Sequence, residues 1–265
     1  MTAISASLVK ELRDLTGAGM MDCKRALEDS GGDLEAARRL LREKGMAQAG
    51  KRAGRETTEG IVLARAQNAR GTLVAVGSET EPVSKNDDFR AFAQHILDVV
   101  DVEGPEAATA LEEERVELVA KIGENIAVRG AARFEADEGE VVAAYVHPPA
   151  NKIGVLVKAK GGSQEAARRV AMHISSARPR FVSRDDVPAA EVESERAIYA
   201  KQPDVEGKPA DVQAKIVEGM LQKRFFAENV LAEQAWIFDT GKTVAQALAE
   251  EGLEVVAFER YALAE

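Results

Sequence analysis

Two stretches of this chain echo one another, Ala-Gln-His-Ile at 93–96 and Ala-Met-His-Ile at 171–174, and each closes a similar order of residues. In the first copy, 60–97, β-prone segments at 61–64 and 73–76 flank Gly71, and Phe89, Phe92, Ala93, Ile96 and Leu97 share one helical face. In the second, 140–175, segments at 141–146 and 153–157 flank a turn with Pro148, Pro149 and Asn151, and Val170, Ala171 and Ile174 mark the helix. Two such units predict an α+β fold with duplicated subdomains and antiparallel strands. The copies differ in length. Gly71 to His95 is 24 positions and Gly154 to His173 is 19, so five extra residues enter the first copy between its last strand and its helix. They fall in Ser-Glu-Thr-Glu-Pro-Val-Ser-Lys-Asn-Asp, 78–87. Loops accept insertions and carry binding groups, which makes this segment the candidate functional loop.

Ahead of the repeat, Leu8, Leu12 and Leu15 recur at i, i+4 and i+7, predicting a helix over 5–16 closed by Gly17. A second helix is expected over 20–29, ended by Gly31 and Gly32. Asp33 then caps a third with Leu34, Ala37, Leu40 and Leu41 on one face and Gly45 beyond its last turn. Residues 1–46 therefore read as a three-helix bundle, and the small, charged, nonperiodic residues 47–59 as a tether. The rest divides into a first α+β subdomain, 60–139, and a second, 140–185 plus 233–265. Residues 105–128 are expected to form one long charged helix with Leu111, Leu118, Ile122 and Ile126 on its buried face. Residues 186–232, broken by Pro203, Gly207 and Pro209, read as an inserted antiparallel helical hairpin. A final helix starts at Val244 and Leu248, and 253–261 supplies a closing strand with Val256 and Phe258 on one face.

Composition narrows the function classes. Forty-five acidic residues against 35 basic give a net charge of −10, a field that repels phosphate backbones. Lys51, Arg52 and Arg55 are too small a patch to override it, so no nucleic-acid role is expected. The single Cys23 excludes a disulfide within the chain and any multi-thiolate metal site, and reads as a half-buried thiol on a helix. The first residues lack an apolar signal core, and no run approaches the roughly 18 apolar residues of a membrane span; a soluble, cytoplasmic protein without membrane contact is expected. Gly241-Lys242-Thr243 fails as a phosphate loop, because Trp236 stands where that motif needs a glycine, so the chain is not expected to bind GTP itself. His95, His147 and His173 are its only histidines, and the equivalent placement of two on repeat helices favours packing or hydrogen bonding. No ligand cluster or activated nucleophile is visible, so no enzymatic activity, catalytic residue, metal or cofactor is expected.

Six ordered blocks carry a resemblance that spans nearly the whole chain. They are LVKELRDLTGAGMMDCKRAL at 8–27, EEERVELVAKIGENIAVRG at 112–130, KIGVLVKAKG at 152–161, AMHISSARP at 171–179, KIVEGMLQKRF at 215–225 and TVAQAL at 243–248. The chain resembles the elongation factor Ts family, whose members bind the translational GTPase elongation factor Tu, GDP-bound and nucleotide-free, and speed release of its GDP. The resemblance implies that the N-terminal bundle, whose residues 1–46 look UBA-like, presses Leu12, Gly17, Ala18, Gly19, Met20 and Met21 against the partner's GTPase domain. Flexible, polarizable methionines suit such a surface; the other reading of Met20 and Met21 is that they close the bundle core. It further implies that the second subdomain grips another domain of the partner through its hairpin at 141–160, with His147, Ile153 and Gly154 as candidate contacts. For 186–232 two roles stay open, a homodimer contact as in some relatives or a brace for the second subdomain.

In the functional loop the family usually carries Thr-Asp-Phe-Val, whose ring wedges into the partner's GTPase domain and dislocates bound magnesium. This chain has Thr80, Glu81, Pro82 and Val83 instead. Proline keeps an apolar wedge but little of its volume, fixes φ, and biases Glu81 toward an extended conformation. A stiffer, smaller lever is expected, with Phe89 and Phe92 in the core rather than standing in for the ring. An exchange factor for elongation factor Tu is the first reading. A non-exchanging adaptor or stabilising partner, favoured by Pro82, is the second. A bundle module with an unrelated partner is the third, and the ordered resemblance through Leu248 argues against it.

Overall fold

The computed structural model describes residues 4–67 and 69–264. Helices α1 (Ala6–Thr16), α2 (Met20–Asp29) and α3 (Leu34–Arg52) form the N-terminal bundle. The Ser5 hydroxyl accepts the Leu8 N–H and an Asp33 carboxylate oxygen accepts the Ala36 N–H, so two helix starts are capped by side chains. Gly17 closes α1 at φ 65°, where a side chain would be strained. Val9, Leu12, Cys23, Ala26, Leu27 and Ala37 make the bundle's interior. Cys23 is wholly buried rather than half-buried, and burial pushes its thiol pKa up.

Helix α3 does not stop before Gly45. It runs through to Arg52, because Gly45 marks a crossing with α6 (Glu112–Ile122) rather than a terminus. A Cβ on Gly45 would lie 2.9 Å from the Ala120 methyl, so only glycine lets the two backbones approach this closely. Arg42 and Glu113 add an ion pair between the same helices, and Ala49 is buried in the core under the first sheet. Residues 47–52 of the expected tether are thus helical and docked.

The first unit contains β1 (Glu59–Gln67), β2 (Arg70–Ser78), the single turn α4 (Glu81–Ser84), α5 (Asp87–Glu103), a 3-10 segment Pro105–Leu111, α6, and β3 (Ile126–Glu135), with antiparallel sheet order β1-β2-β3. The long helix expected over 105–128 is therefore three elements. Gly123, at φ 87°, ends α6, and Ile126 opens a strand that helical spacing with Leu118 and Ile122 had concealed. The second unit contains β4 (Glu140–Val146), β5 (Ile153–Gly161), α7 (Gln164–Ala177), the hairpin helices α8 (Ala189–Ala200) and α9 (Ala210–Met220), a π turn Leu221–Phe226, α10 (Ala227–Asn229), the short pair β6 (Ala235–Trp236) and β7 (Asp239–Thr243), α11 (Val244–Glu250), and β8 (Leu253–Ala262). Its main sheet has the order β4-β5-β8. The hairpin has its own core, built around Tyr199, Val205, Leu221, Phe225 and Phe226.

The repeat is deeper than its sequence echo. Between β2 and β3 the register slips after Ala75, leaving Arg129 unpaired; between β5 and β8 it slips after Lys158, leaving Val256 unpaired. Ala75 and Lys158 occupy the same place in the two units, so even the bulge is duplicated. This bulge overturns the expected face of the closing strand. Val256 is 42% exposed, whereas Val255 is buried and Phe258 packs beside it on the same core.

The two sheets pack face to face with reciprocal glycines. A Cβ on Gly71 would meet Leu156 Cδ1 at 2.6 Å and Val142 closer still; a Cβ on Gly154 would meet Leu73 Cδ1 at 2.8 Å and Val62 closer still. Each sheet seats a leucine and a valine over the other's glycine, and Val62, Leu73, Ala75, Val142, Leu156 and Leu263 fill the contact. Helix α5 covers the outer face of one sheet with Phe89, Phe92, Ala93 and Ile96, and α7 covers the other with Val170, Ala171 and Ile174. The layers run helix, sheet, sheet, helix.

Candidate functional site

The loop that distinguishes the two units occupies 79–86, between the end of β2 and the start of α5; only Gly162 and Ser163 separate β5 from α7. Thr80 is extended, at φ −130° and ψ 153°, and Glu81 opens the α4 turn. The expected extended Glu81 is therefore not found: the turn begins one residue earlier than Pro82, and the extended residue is Thr80. Lys85 N–H donates to the Pro82 carbonyl at 3.2 Å, Asn86 N–H to that of Val83 at 3.0 Å, and the Ser84 hydroxyl to that of Glu81 at 2.7 Å, so the loop is tied internally. Val83 is buried at 8% exposure in the core that holds Phe89 and Phe92, while Thr80, Glu81 and Pro82 face solvent. Val83 is thus the anchor and Pro82 the presented apolar group. Phe89 and Phe92, at 0% and 2% exposure, stay in the core. Lys85 pairs with Glu81 at 2.8 Å and holds its carboxyl below the usual range.

On the bundle, Met20 and Met21 are 59% and 66% exposed, which decides between their two readings in favour of the surface. Leu12 is entirely buried and belongs to the bundle interior, not to its outer face. Leu15 shares the helical spacing of Leu8 and Leu12, yet it stands 58% exposed near the Gly17 turn. The period of 3.6 put Leu8, Leu12 and Leu15 on one side, but three short helices cover only part of that arc. Gly17 and Gly19 are exposed and Ala18 is half-buried.

In the second unit His147 is exposed, with Nδ1 3.0 Å from the Tyr145 hydroxyl, and Ile153 is half-buried. Gly154 lies between the sheets, so its role is packing rather than surface contact. Of the other histidines, His95 Nδ1 lies 2.8 Å from Glu114 Oε2. His173 is fully buried, with Nε2 2.9 Å from Gln234 Oε1 and its ring stacked on Trp236 at 5.2 Å. Burial pushes the His173 pKa down against the opposing bond to Gln234. Lys242 of the Gly-Lys-Thr stretch pairs with Glu250 at 2.7 Å. Among the described residues no group of three or more His, Cys, Asp or Glu side chains is placed to hold a metal ion, and no helix is long and apolar enough to cross a membrane.

A bundle presenting methionines is thus joined to paired sheet-and-helix units, of which one carries an extra loop. The model of the family described as Elongation factor TS matches residues 79–265. An Elongation factor Ts of Alkalilimnicola ehrlichii is 44% identical over 279 aligned residues, covering 99% of this chain and 93% of that protein. Those of Enterobacter sp. strain 638 and Idiomarina loihiensis are 42% and 41% identical, covering 100% and 99% of this chain and 93% and 92% of theirs. The chain belongs to the elongation factor Ts family.

Proposed function

We propose that this chain is a guanine-nucleotide exchange factor of the cytoplasm that binds elongation factor Tu, GDP-bound and nucleotide-free, and speeds release of GDP so that GTP can enter. It acts by surface contact, without binding nucleotide and without covalent chemistry. In this reading the bundle, through Gly17, Ala18, Gly19, Met20 and Met21, meets the partner's GTPase domain. The second unit meets another domain near His147 and Ile153, and the loop Thr80–Val83 works between them. The observation that carries the reading is the loop itself: one of two matched units has eight residues between strand and helix, anchored by buried Val83 and presenting Pro82. Magnesium neutralises the diphosphate, so a loop that dislocates the ion weakens the hold on GDP. The coupling is reciprocal: GDP lowers affinity for the factor by the same ratio that the factor lowers affinity for GDP.

Pro82 supports one alternative, a partner that binds and stabilises elongation factor Tu without exchanging its nucleotide, since the pyrrolidine ring fills far less space than phenylalanine. The native chain and Pro82→Phe separate the two readings when binding to elongation factor Tu is titrated with and without GDP. An exchange factor binds the nucleotide-free partner more tightly than the GDP-bound one. Equal affinity of the native chain for both states, with a preference appearing only in Pro82→Phe, would make the native chain an adaptor.

A further inference from the structure

At the root of the loop two dipeptides clasp each other. Glu124 accepts the Thr80 N–H on Oε2 at 3.0 Å and the Thr80 hydroxyl on Oε1 at 2.7 Å. Glu79 in return accepts the Asn125 N–H on Oε1 at 2.6 Å. Each glutamate thus caps the backbone N–H of the residue that follows the other. Arg55 reinforces the pair from the α3–β1 connection, with its guanidinium 3.2 Å from Glu79 Oε2 and its carbonyl accepting Asn125 Nδ2 at 2.8 Å. Asn125 is 2% exposed.

The second unit shows that the fold does not require this arrangement. Ser78 pairs with Ile126 and Gly161 with Leu253 at the ends of corresponding ladders. The residues just beyond are Glu79 and Asn125 in the first unit, and Gly162 and Gly252 in the second. There the backbones close directly: a Cβ on Gly161 would strike the Gly252 carbonyl oxygen, and one on Gly162 would lie 2.6 Å from Leu253 Cδ1. Charged side chains replace a plain glycine closure only in the copy with the extra loop.

The same corner bears on the bundle. The stem of Lys121, at the end of α6, runs past Gly17 so closely that a Cβ there would lie 2.9 Å from Lys121 Cε. Its ammonium pairs at 2.8 Å with Asp88 in the first turn of α5.

We infer that Glu124 and Glu79 are positioning residues for exchange: their reciprocal clasp fixes the loop Thr80–Val83 to the α6–β3 corner, which also seats the bundle, so that partner binding by the bundle is transmitted to the loop. The inference rests on the exchange reading above. The clasp holds the loop near its contact geometry before the partner arrives, and that ordering is not repeated at each encounter. Neither glutamate touches nucleotide; each acts through the loop.

The test uses the full chain and its Glu124→Ala and Glu124→Gln variants. In the free protein, exchange of the Thr80 amide proton with water is followed by NMR. Losing a carboxylate acceptor is expected to speed it about 10- to 100-fold in Glu124→Ala, while Val74 and Val76 in β2 keep their protection. Release of fluorescent GDP from elongation factor Tu is then measured over a range of factor concentrations. The maximal release rate falls about tenfold in Glu124→Ala with the half-saturating concentration within about twofold of native, and Glu124→Gln, which keeps one acceptor oxygen, recovers part of the rate. An unchanged Thr80 amide, or a maximal rate equal to native in Glu124→Ala, overturns the clasp. A raised half-saturating concentration at native maximal rate also overturns it, by making Glu124 a simple binding contact. A native chain that releases no GDP overturns the exchange reading and this positioning role with it, and the amide measurement tells that failure apart from loss of the clasp.

Discussion

Gly154→Ala distinguishes a packing glycine from a partner-contact glycine without any partner present. The added methyl would stand 2.8 Å from Leu73 Cδ1 and closer to Val62, against ordinary contacts of roughly 3.5–4.0 Å, an overlap of about 1 Å. Val62 is β-branched and restricted at χ1, and it sits on β1 in the middle of the inter-sheet core, so the sheets must part or tilt to admit the methyl. Overpacking of this kind costs about 1–3 kcal/mol. At roughly 2–4 °C per kcal/mol for a chain of this size, Tm in a calorimetric scan should fall by about 2–12 °C. Gly71→Ala, its counterpart under Val142 and Leu156, should do the same. Combining Gly154→Ala with Val62→Ala should lose less than the sum of the two single changes, because the second makes room for the first. A Gly154→Ala chain with native Tm would refute the reciprocal packing and leave Gly154 open to the partner contact that the family resemblance implies.

The bundle offers a paired contrast. Leu12→Ala should cost about 2–5 kcal/mol in denaturant unfolding because Leu12 is fully buried, whereas Met20→Ala and Met21→Ala should stay within about 0.5 kcal/mol of native yet weaken binding to elongation factor Tu in a calorimetric titration. Two titrations have opposite signs. His173 has its folded pKa depressed by burial, so the stability it contributes is present above its unfolded value near 6.5 and is lost as pH falls below it; Trp236, stacked on that ring and the chain's only tryptophan, should report the loosening in its emission. Burial raises the Glu259 carboxyl, so its favourable contribution is present below about pH 4.3 and is lost as pH rises through the folded value. Glu259→Gln should therefore raise Tm at pH 7, by an amount that shrinks toward pH 4.

Sequence reasoning saw best what rests on periodicity within one element. The faces of α5 and α7 and the αL closure at Gly17 follow from local spacing, and the core places of Phe89 and Phe92 came with them. What it missed depends on partners distant in the chain. Gly45 looks like a helix stop until Ala120 is seen against it. Ile126 continues a helical stripe until Ser78 is seen pairing with it. Val256 alternates correctly with Phe258, and only the bulge opposite Lys158 and Ala159 turns Val255 inward instead. The candidate site divides the same way. The family resemblance implies partner contact for Leu12 and Gly154, and three-dimensional packing claims both. The loop was found by comparing the lengths of two copies, but the Glu79–Glu124 clasp joins residues 45 apart, and neither glutamate is distinguishable in sequence from the chain's many other acidic residues.

An exchange factor must make GDP leave elongation factor Tu faster. Fluorescent GDP is loaded onto elongation factor Tu in magnesium-containing buffer and chased with excess unlabelled nucleotide, with and without a saturating amount of the native chain. Strong acceleration is expected despite Pro82, and a smaller acceleration when magnesium has already been chelated, because part of the loop's effect falls on the ion that the chelator removes. An unchanged release rate while the two proteins remain bound would contradict the exchange reading.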